Sequence, residues 1–263
     1  FYLFEERAMF ILSLPTIVSV TLAIVVTSSF SVGLYFLVHR LWAGEVGLET
    51  RRTADNVATR IGVIHAVVIG MMFTSVRVEY NEMIVAIESE ASAITRLYHA
   101  MGRQGGDELD AAREQLRDYI HHVVNEQWPA LREVRITPTD RELIGRAALD
   151  RLWSTLEDIE SKPGAPSFKE LLDQVEDYRI QRLFDAKGKL LPIFWYIAII
   201  GYLLTLTTLY LPPPTTKRCL LVSLYSSMVA VVLLGIFILT HPYSEAAGVG
   251  PDIFEWLLVG ASL

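Results

Sequence analysis

Cysteine is almost absent from this chain. Its one thiol, Cys219, rules out an internal disulfide, and no Cys/His spacing suggests a zinc site. Positive charge is not in surplus either: the net charge of −7 gives no basis for a nucleic-acid-binding surface. Charged residues are only 20% against 52% apolar, which points away from a water-soluble protein. Strand-like alternation, internal repeats and low-complexity tracts are missing. So are a Ser/His/Asp arrangement, a phosphate-binding glycine loop and a paired-carboxylate motif. Catalysis therefore has no positive support, and no cofactor or metal is expected. His122 and Glu126, at i and i+4 beside His121, come nearest to a metal site, with a surface pair as the plainer alternative.

What the chain does have is apolar sequence in blocks. No charged residue or histidine occurs from Ala8 to Val38. That is longer than the core of a signal peptide, and no clear cleavage motif follows, so a retained span is expected. The start at Phe1 suggests a natural N-terminus further upstream, and the end at Ala261-Ser262-Leu263 a clipped one. The first span is placed at Phe10–Val38, with Pro15 absorbed in its opening turns and His39, Arg40 and Trp42 at the interface. The third covers Leu190–Leu211, with Pro192 in its first turn and Pro212-Pro213-Pro214 as the stop. The fourth covers Cys219–Thr240, after Lys217-Arg218 and before His241-Pro242-Tyr243.

The second span differs. Ile61–Val76, between Arg60 and Arg77, falls short of the roughly 20 apolar residues a membrane helix needs. It can serve if the helix continues into water. Neither Pro nor Gly occurs between Met71 and Met101, and Met83, Ile87, Ile94, Leu97, Tyr98 and Met101 follow helical spacing. One helix from about Val57 to Met101 is therefore predicted, with Glu79, Glu82, Glu88 and Glu90 on its other face and Gly102 and Gly105-Gly106 as its end. Amphipathic helices follow. One carries Leu116, Tyr119, Ile120, Val123 and Val124 and ends near Trp128-Pro129. The next begins at a Thr139/Glu142 capping box and carries Ile144, Leu152, Leu156 and Ile159. The last begins at a Ser167/Glu170 box and carries Leu171, Leu172, Val175 and Leu183.

The fold expected is an all-α integral membrane protein: four transmembrane helices with a helical, water-exposed insert between the second and third. The divisions are residues 1–76, 77–189, 190–240 and a tail, 241–263. Sidedness stays open, because Arg40, Arg51, Arg52, Arg60, Lys217 and Arg218 on the short links balance Arg7, Arg77, Arg179, Arg182, Lys187 and Lys189 opposite.

Function candidates concentrate in the second span. Gly62, Ala66, Gly70 and Thr74 form a small-xxx-small stripe, which suits close helix packing in lipid, within one chain or between copies. His65 is the one ionisable side chain well inside a span. It is either a pore-lining, gating residue or a neutral histidine bonded to a neighbouring helix. Ile69, Met72 and Val76 share its face and would form a hydrophobic constriction, or plain packing. Glu79, Glu82 and Glu90 would form carboxylate rings if copies surrounded an axis, or else a solvated face.

Several residues in order resemble the bacterial and plant bestrophin-like membrane protein family, a domain of unknown function. Asp55-Asn56-Val57 precedes the second span. Glu90-Ala91 and Leu97-Tyr98 follow, with His99 where the family commonly has arginine. Tyr119, Glu126, Trp128 and Pro129 resemble its "Y…EWP" element, with Gln127 at the usual glutamate. Arg179, Arg182-Leu183, Leu191-Pro192 and Trp195 resemble "R..RL…LP..W". Pro242-Tyr243-Ser244, Val249, Pro251 and Phe254 resemble "PFSG…V.P..F", with Glu245 in place of glycine and His241 where an acidic residue is common. The resemblance implies two spans, an insert, two spans and a short tail. By analogy with bestrophins, anion channels built as pentamers around their second helix, it implies ion conduction by a homo-oligomer in a bacterial inner membrane. The acidic face argues against a simple anion pore. The alternative is an accessory or scaffold subunit whose long helices dock other membrane subunits, and a ligand sensor is a third reading.

Overall fold

The computed structural model describes residues 12, 14–41, 47–132, 145–162, 164, 167–185, 190–210 and 212–260. No strand occurs among them, and four helices are long and apolar enough to cross a membrane. They are α1 (Thr16–Leu41), α2 (Leu48–Gln104), α7 (Pro192–Leu209) and α8 (Thr216–Leu239). Between α2 and α7 lie α3 (Asp107–His122), a π-helical turn (Val123–Gln127), α4 (Trp128–Arg132), α5 (Arg146–Glu160) and α6 (Lys169–Asp185). A 3-10 turn (Glu245–Ala247) and α9 (Asp252–Gly260) follow α8.

Helix α2 has 57 residues, about 85 Å at 1.5 Å per residue, against a bilayer core of roughly 30 Å. The second apolar segment is thus part of one uninterrupted helix that begins earlier than the spacing indicated. It ends where the backbone enters the left-handed region, at Gly105 (φ 67°) and Gly106 (φ 118°), which glycine reaches without a Cβ clash. The Gly105 N–H closes the last turn on Met101 O, at 3.1 Å.

Two compact units form. The first holds the described residues of Phe1–Val78 and Lys189–Thr240. Its helices turn large aliphatic and aromatic side chains outward: Ile17, Val25 and Phe36 on α1, Ile193 and Ile200 on α7, Leu220 and Leu224 on α8. In lipid such side chains need no cover. The interior mixes aliphatic side chains with hydroxyls that bond across helices, since no hydrophobic force draws helices together there and close contact and hydrogen bonds must. Ser28 Oγ on α1 meets Ser227 Oγ on α8 at 3.0 Å. Tyr35 stacks on Tyr210, with ring centroids 4.9 Å apart, and donates to Pro212 O at 2.7 Å. Tyr210 donates to Ser31 O at 2.8 Å, and the Ser31 hydroxyl bonds the Tyr202 phenol.

The second unit holds the described residues of Glu79–Gly188 and His241–Leu263. It has one broad apolar core. Met83, Ile87, Ile94, Leu97, Tyr98 and Met101 are all buried, and Leu116, Tyr119, Ile120, Val123, Leu152, Leu156, Leu172 and Val175 close over them. Residues of the tail belong to the same core: Tyr243, Val249, Phe254 and Leu257 are buried there. Trp128 lies edge-on to Tyr243, at 5.3 Å, and 5.8 Å from Phe254. Tyr80 on α2 donates to Ala247 O at 2.9 Å.

Three local expectations need revision. Trp128-Pro129 does not end its helix. The chain widens into the π turn, where the Trp128 N–H reaches back to Val123 O, and continues helically to Arg132. A wider turn gives room to a proline, which lacks an N–H and would crowd the carbonyl four residues back. The start of α6 is not capped by a Ser167/Glu170 box. Glu160, from the end of α5, accepts from Phe168 N at 2.6 Å, Lys169 N at 3.1 Å and Ser167 Oγ at 3.1 Å, so a carboxylate meets the positive end of the helix. Glu90 is not on a solvated face but fully buried, whereas Glu82 and Glu88 are exposed. The Thr139/Glu142 box and Ile144 lie outside the described residues.

The tail's place in the core has a measurable consequence. Phe254→Ala should cost about 3–5 kcal/mol of stability, as deletion of a fully buried aromatic does. Trp256→Ala, on the exposed side of the same helix, should change it by no more than about 0.5 kcal/mol. Denaturant unfolding of the purified protein measures both, and equal effects would mean that α9 is not part of the core.

Candidate functional site

On α2 the two sets of candidate residues occupy different faces. His65, Ile69, Met72 and Val76 are buried within the chain. Ile69, Met72 and Val76 pack against Ala198 of α7 and Ile236 of α8. The His65 ring is fastened on both sides. Its Nε2 lies 2.8 Å from Ala198 O, and a carbonyl only accepts, so Nε2 carries the proton. Nδ1 is then the acceptor, and the Tyr225 hydroxyl of α8 faces it at 3.4 Å. Tyr225 in turn stacks on Tyr202, at 6.0 Å between centroids. The ring sits in a notch of α7: a Cβ at Gly201 would collide with it. Ala66, Gly70 and Thr74 face outward, and Gly62 is half-buried. Nothing lies within 4 Å of a Cβ built on Gly62 or Gly70, and the Thr74 hydroxyl is satisfied by Gly70 O at 2.9 Å. Glu79 is half-buried at the start of the second unit.

The second unit encloses a polar centre. Glu90 of α2 and Arg182 of α6 are both fully buried and form a bidentate pair, Nε to Oε2 at 2.6 Å and Nη2 to Oε1 at 3.2 Å. Tyr119 of α3 donates to Glu90 Oε1 at 2.6 Å. Gln127, the last residue of the π turn, accepts from Arg182 Nη2 at 2.7 Å. The guanidinium carbon lies 5.5 Å from the Trp128 ring centre and 5.6 Å from that of Phe254. Arg179 is buried one turn earlier on α6. Burial alone would lower the Arg182 guanidinium, but the charge and hydrogen bonds of Glu90 outweigh it and hold it above its ordinary value. Burial pushes the Tyr119 phenol well above its usual range, and the Glu90 carboxylate adds to this. In the sequence these residues stand as separate motif positions, and no spacing brings them together.

His122 Nδ1 meets Glu126 Oε1 at 2.8 Å on an exposed surface, and no cluster of three or more His, Cys, Asp or Glu side chains suited to a metal occurs among the described residues. A cleft of about 610 Å³ runs between Trp128–Arg132 and the tail, with Ser244, Glu245, Asp252 and Glu255 on its wall.

The family model of the Bestrophin-like domain matches residues 25–254, nearly the whole chain. The chain belongs to the Bestrophin-like domain family. No curated protein and no solved structure matches it. The family is in general of channel type rather than enzymatic, and with four apolar helices this bestrophin-like chain is an integral membrane protein.

Removing one member of a buried charge pair leaves the other without compensation. Glu90→Ala in this bestrophin-like protein should cost about 3–5 kcal/mol. Tyr119→Phe removes a hydrogen bond to a charged group and should cost about 1.5–3 kcal/mol. Tyr119 binds its proton more tightly folded than unfolded. Its contribution is therefore complete below the unfolded value of 10.0 and lost as pH rises beyond it. The corresponding loss at Arg182 begins only at still more alkaline pH. Unfolding curves recorded upward from pH 9 should converge for wild type and Tyr119→Phe, and a constant gap would contradict the assignment.

Proposed function

We propose that this protein is a homo-oligomeric ion channel or transport protein of bestrophin-like type, with α2 lining the path. The observation that carries the reading is the stripe of small residues on the outward side of α2. α1, α7 and α8 present large apolar side chains, as lipid requires. α2 also exposes Val63, Ile64, Val67 and Met71, but beside them Ala66, Gly70 and Thr74 leave open space, and exposed Asn56, Thr59 and Asn81 lie further along the helix. Such a stripe lets a second helix come close or leaves room for water and ions. Membership in a family of channel type supports the same reading. On this reading His65, Ile69, Met72 and Val76 hold α2 to its own chain, and the path runs along the other face. A bacterial inner membrane is the setting that the family resemblance suggests.

Purified protein in mild detergent should run as a ring of identical chains, and in liposomes it should pass ions. Gly70→Trp or Thr74→Trp should block that flux, whereas Ile193→Trp on the lipid side of α7 should not. Stoichiometric foreign subunits in the preparation would favour the scaffold reading. A well-folded ring that passes no ion under varied pH and voltage would remove the channel reading.

A further inference from the structure

His65 is buried, yet on this reading it touches no path. Its geometry suggests another task. Within the first unit, Ile69, Met72 and Val76 on the same face of α2 share an apolar cluster with Ala198 and Ile236, against which Phe194, Trp195, Val232 and Leu233 also pack. Dispersion contacts of this kind are non-directional, and in lipid no hydrophobic force reinforces them. They would hold α2 near α7 and α8 while tolerating some turn about its own axis. The imidazole is different. It makes one directed bond to each neighbouring helix, Nε2 to Ala198 O at 2.8 Å and Nδ1 to the Tyr225 hydroxyl at 3.4 Å, and its body fills the notch at Gly201. Two bonds to two helices plus a steric seat define an angle, which a patch of aliphatic contacts does not.

We propose that His65 is a positioning residue that sets the rotation of α2 about its own axis, and so selects the side chains that α2 presents to a neighbouring copy and to the path. This deepens the proposed function and rests on its reading of α2 as the shared helix. Successive residues differ by roughly 100° around a helix, so a turn of about that size replaces Gly70 and Thr74 with the bulkier Ile64 and Met71 at the shared face. A stripe of small side chains would give way to large ones. The ring is therefore the element that keeps the small face turned outward.

The test reads rotation directly by disulfide cross-linking between copies in full-length protein in liposomes. The native thiol is removed by Cys219→Ser. One reporter cysteine is then placed on the small face, Gly70→Cys, or about 120° away, Ile64→Cys. With His65 intact, Gly70→Cys should cross-link several-fold faster than Ile64→Cys. His65→Leu, which keeps bulk but loses both bonds, should lower or invert that ratio. His65→Gln, which retains a donor and an acceptor, should restore it. If His65→Leu does not fold, Tyr225→Phe removes one of the two bonds and should shift the ratio in the same direction by less. An unchanged ratio in all these variants would overturn the positioning role. Absence of cross-links at both positions in every background would instead remove the shared-helix reading, and the proposal with it.

Discussion

One helix has to serve two different cores. In α2 the buried positions His65, Ile69, Met72, Val76, Met83, Ile87, Glu90, Ile94, Leu97 and Met101 succeed one another at steps of three, four or seven. The 3.6-residue repeat runs through the whole series without a slip. The first four lie in the unit of apolar spans, the others in the second unit. Within either unit, an inserted or deleted residue would rotate the positions beyond it away from their partners. This phase constraint accounts for the absence of a proline, and each unit is arranged around the face that α2 gives it.

Two residues of that stripe are polar, one in each unit. Each is satisfied by the means its surroundings allow. In the first unit His65 finds a backbone carbonyl and a tyrosine hydroxyl, neutral partners suited to a setting where charge is costly. In the second, Glu90 finds a guanidinium, a phenol and an aromatic wall, and a buried charge becomes tolerable because it is paired and hydrogen-bonded at once. An apolar residue at either position would pack with less cost but less selectivity, since apolar surfaces accept many arrangements and forked hydrogen bonds few.

Much of this was legible in the sequence because it rests on periodicity. The apolar blocks mark the spans, and the continuity of α2 follows from spacing and the absence of breakers. Glu90 was misread as a solvated acid although its spacing from Ile87 and Ile94 placed it on the buried stripe. Arg182, seven residues beyond the buried Val175, carried the same signal. A charged residue at a core position announces a partner, but periodicity alone does not say which helix supplies it. The faces of the second span were legible as two stripes. Which of them packs inside the chain depends on α7 and α8, which lie more than a hundred residues away. The π turn and the capping of α6 by Glu160 depend on backbone geometry and on a neighbouring helix, and neither leaves a local motif.

The burial of tail residues in the second unit sets an order of events during synthesis. Residues 79–185 leave the ribosome well before Tyr243, Val249, Phe254 and Leu257, yet their core is closed by those four. The α8 span must be made first, because it lies between. Domains usually complete themselves as they emerge. Here the helices between α2 and α7 wait, with part of their core open, until α8 and the residues after it have been made. Closure of that core therefore reports that synthesis has passed α8, and a chain stopped before Tyr243 is left with the core open.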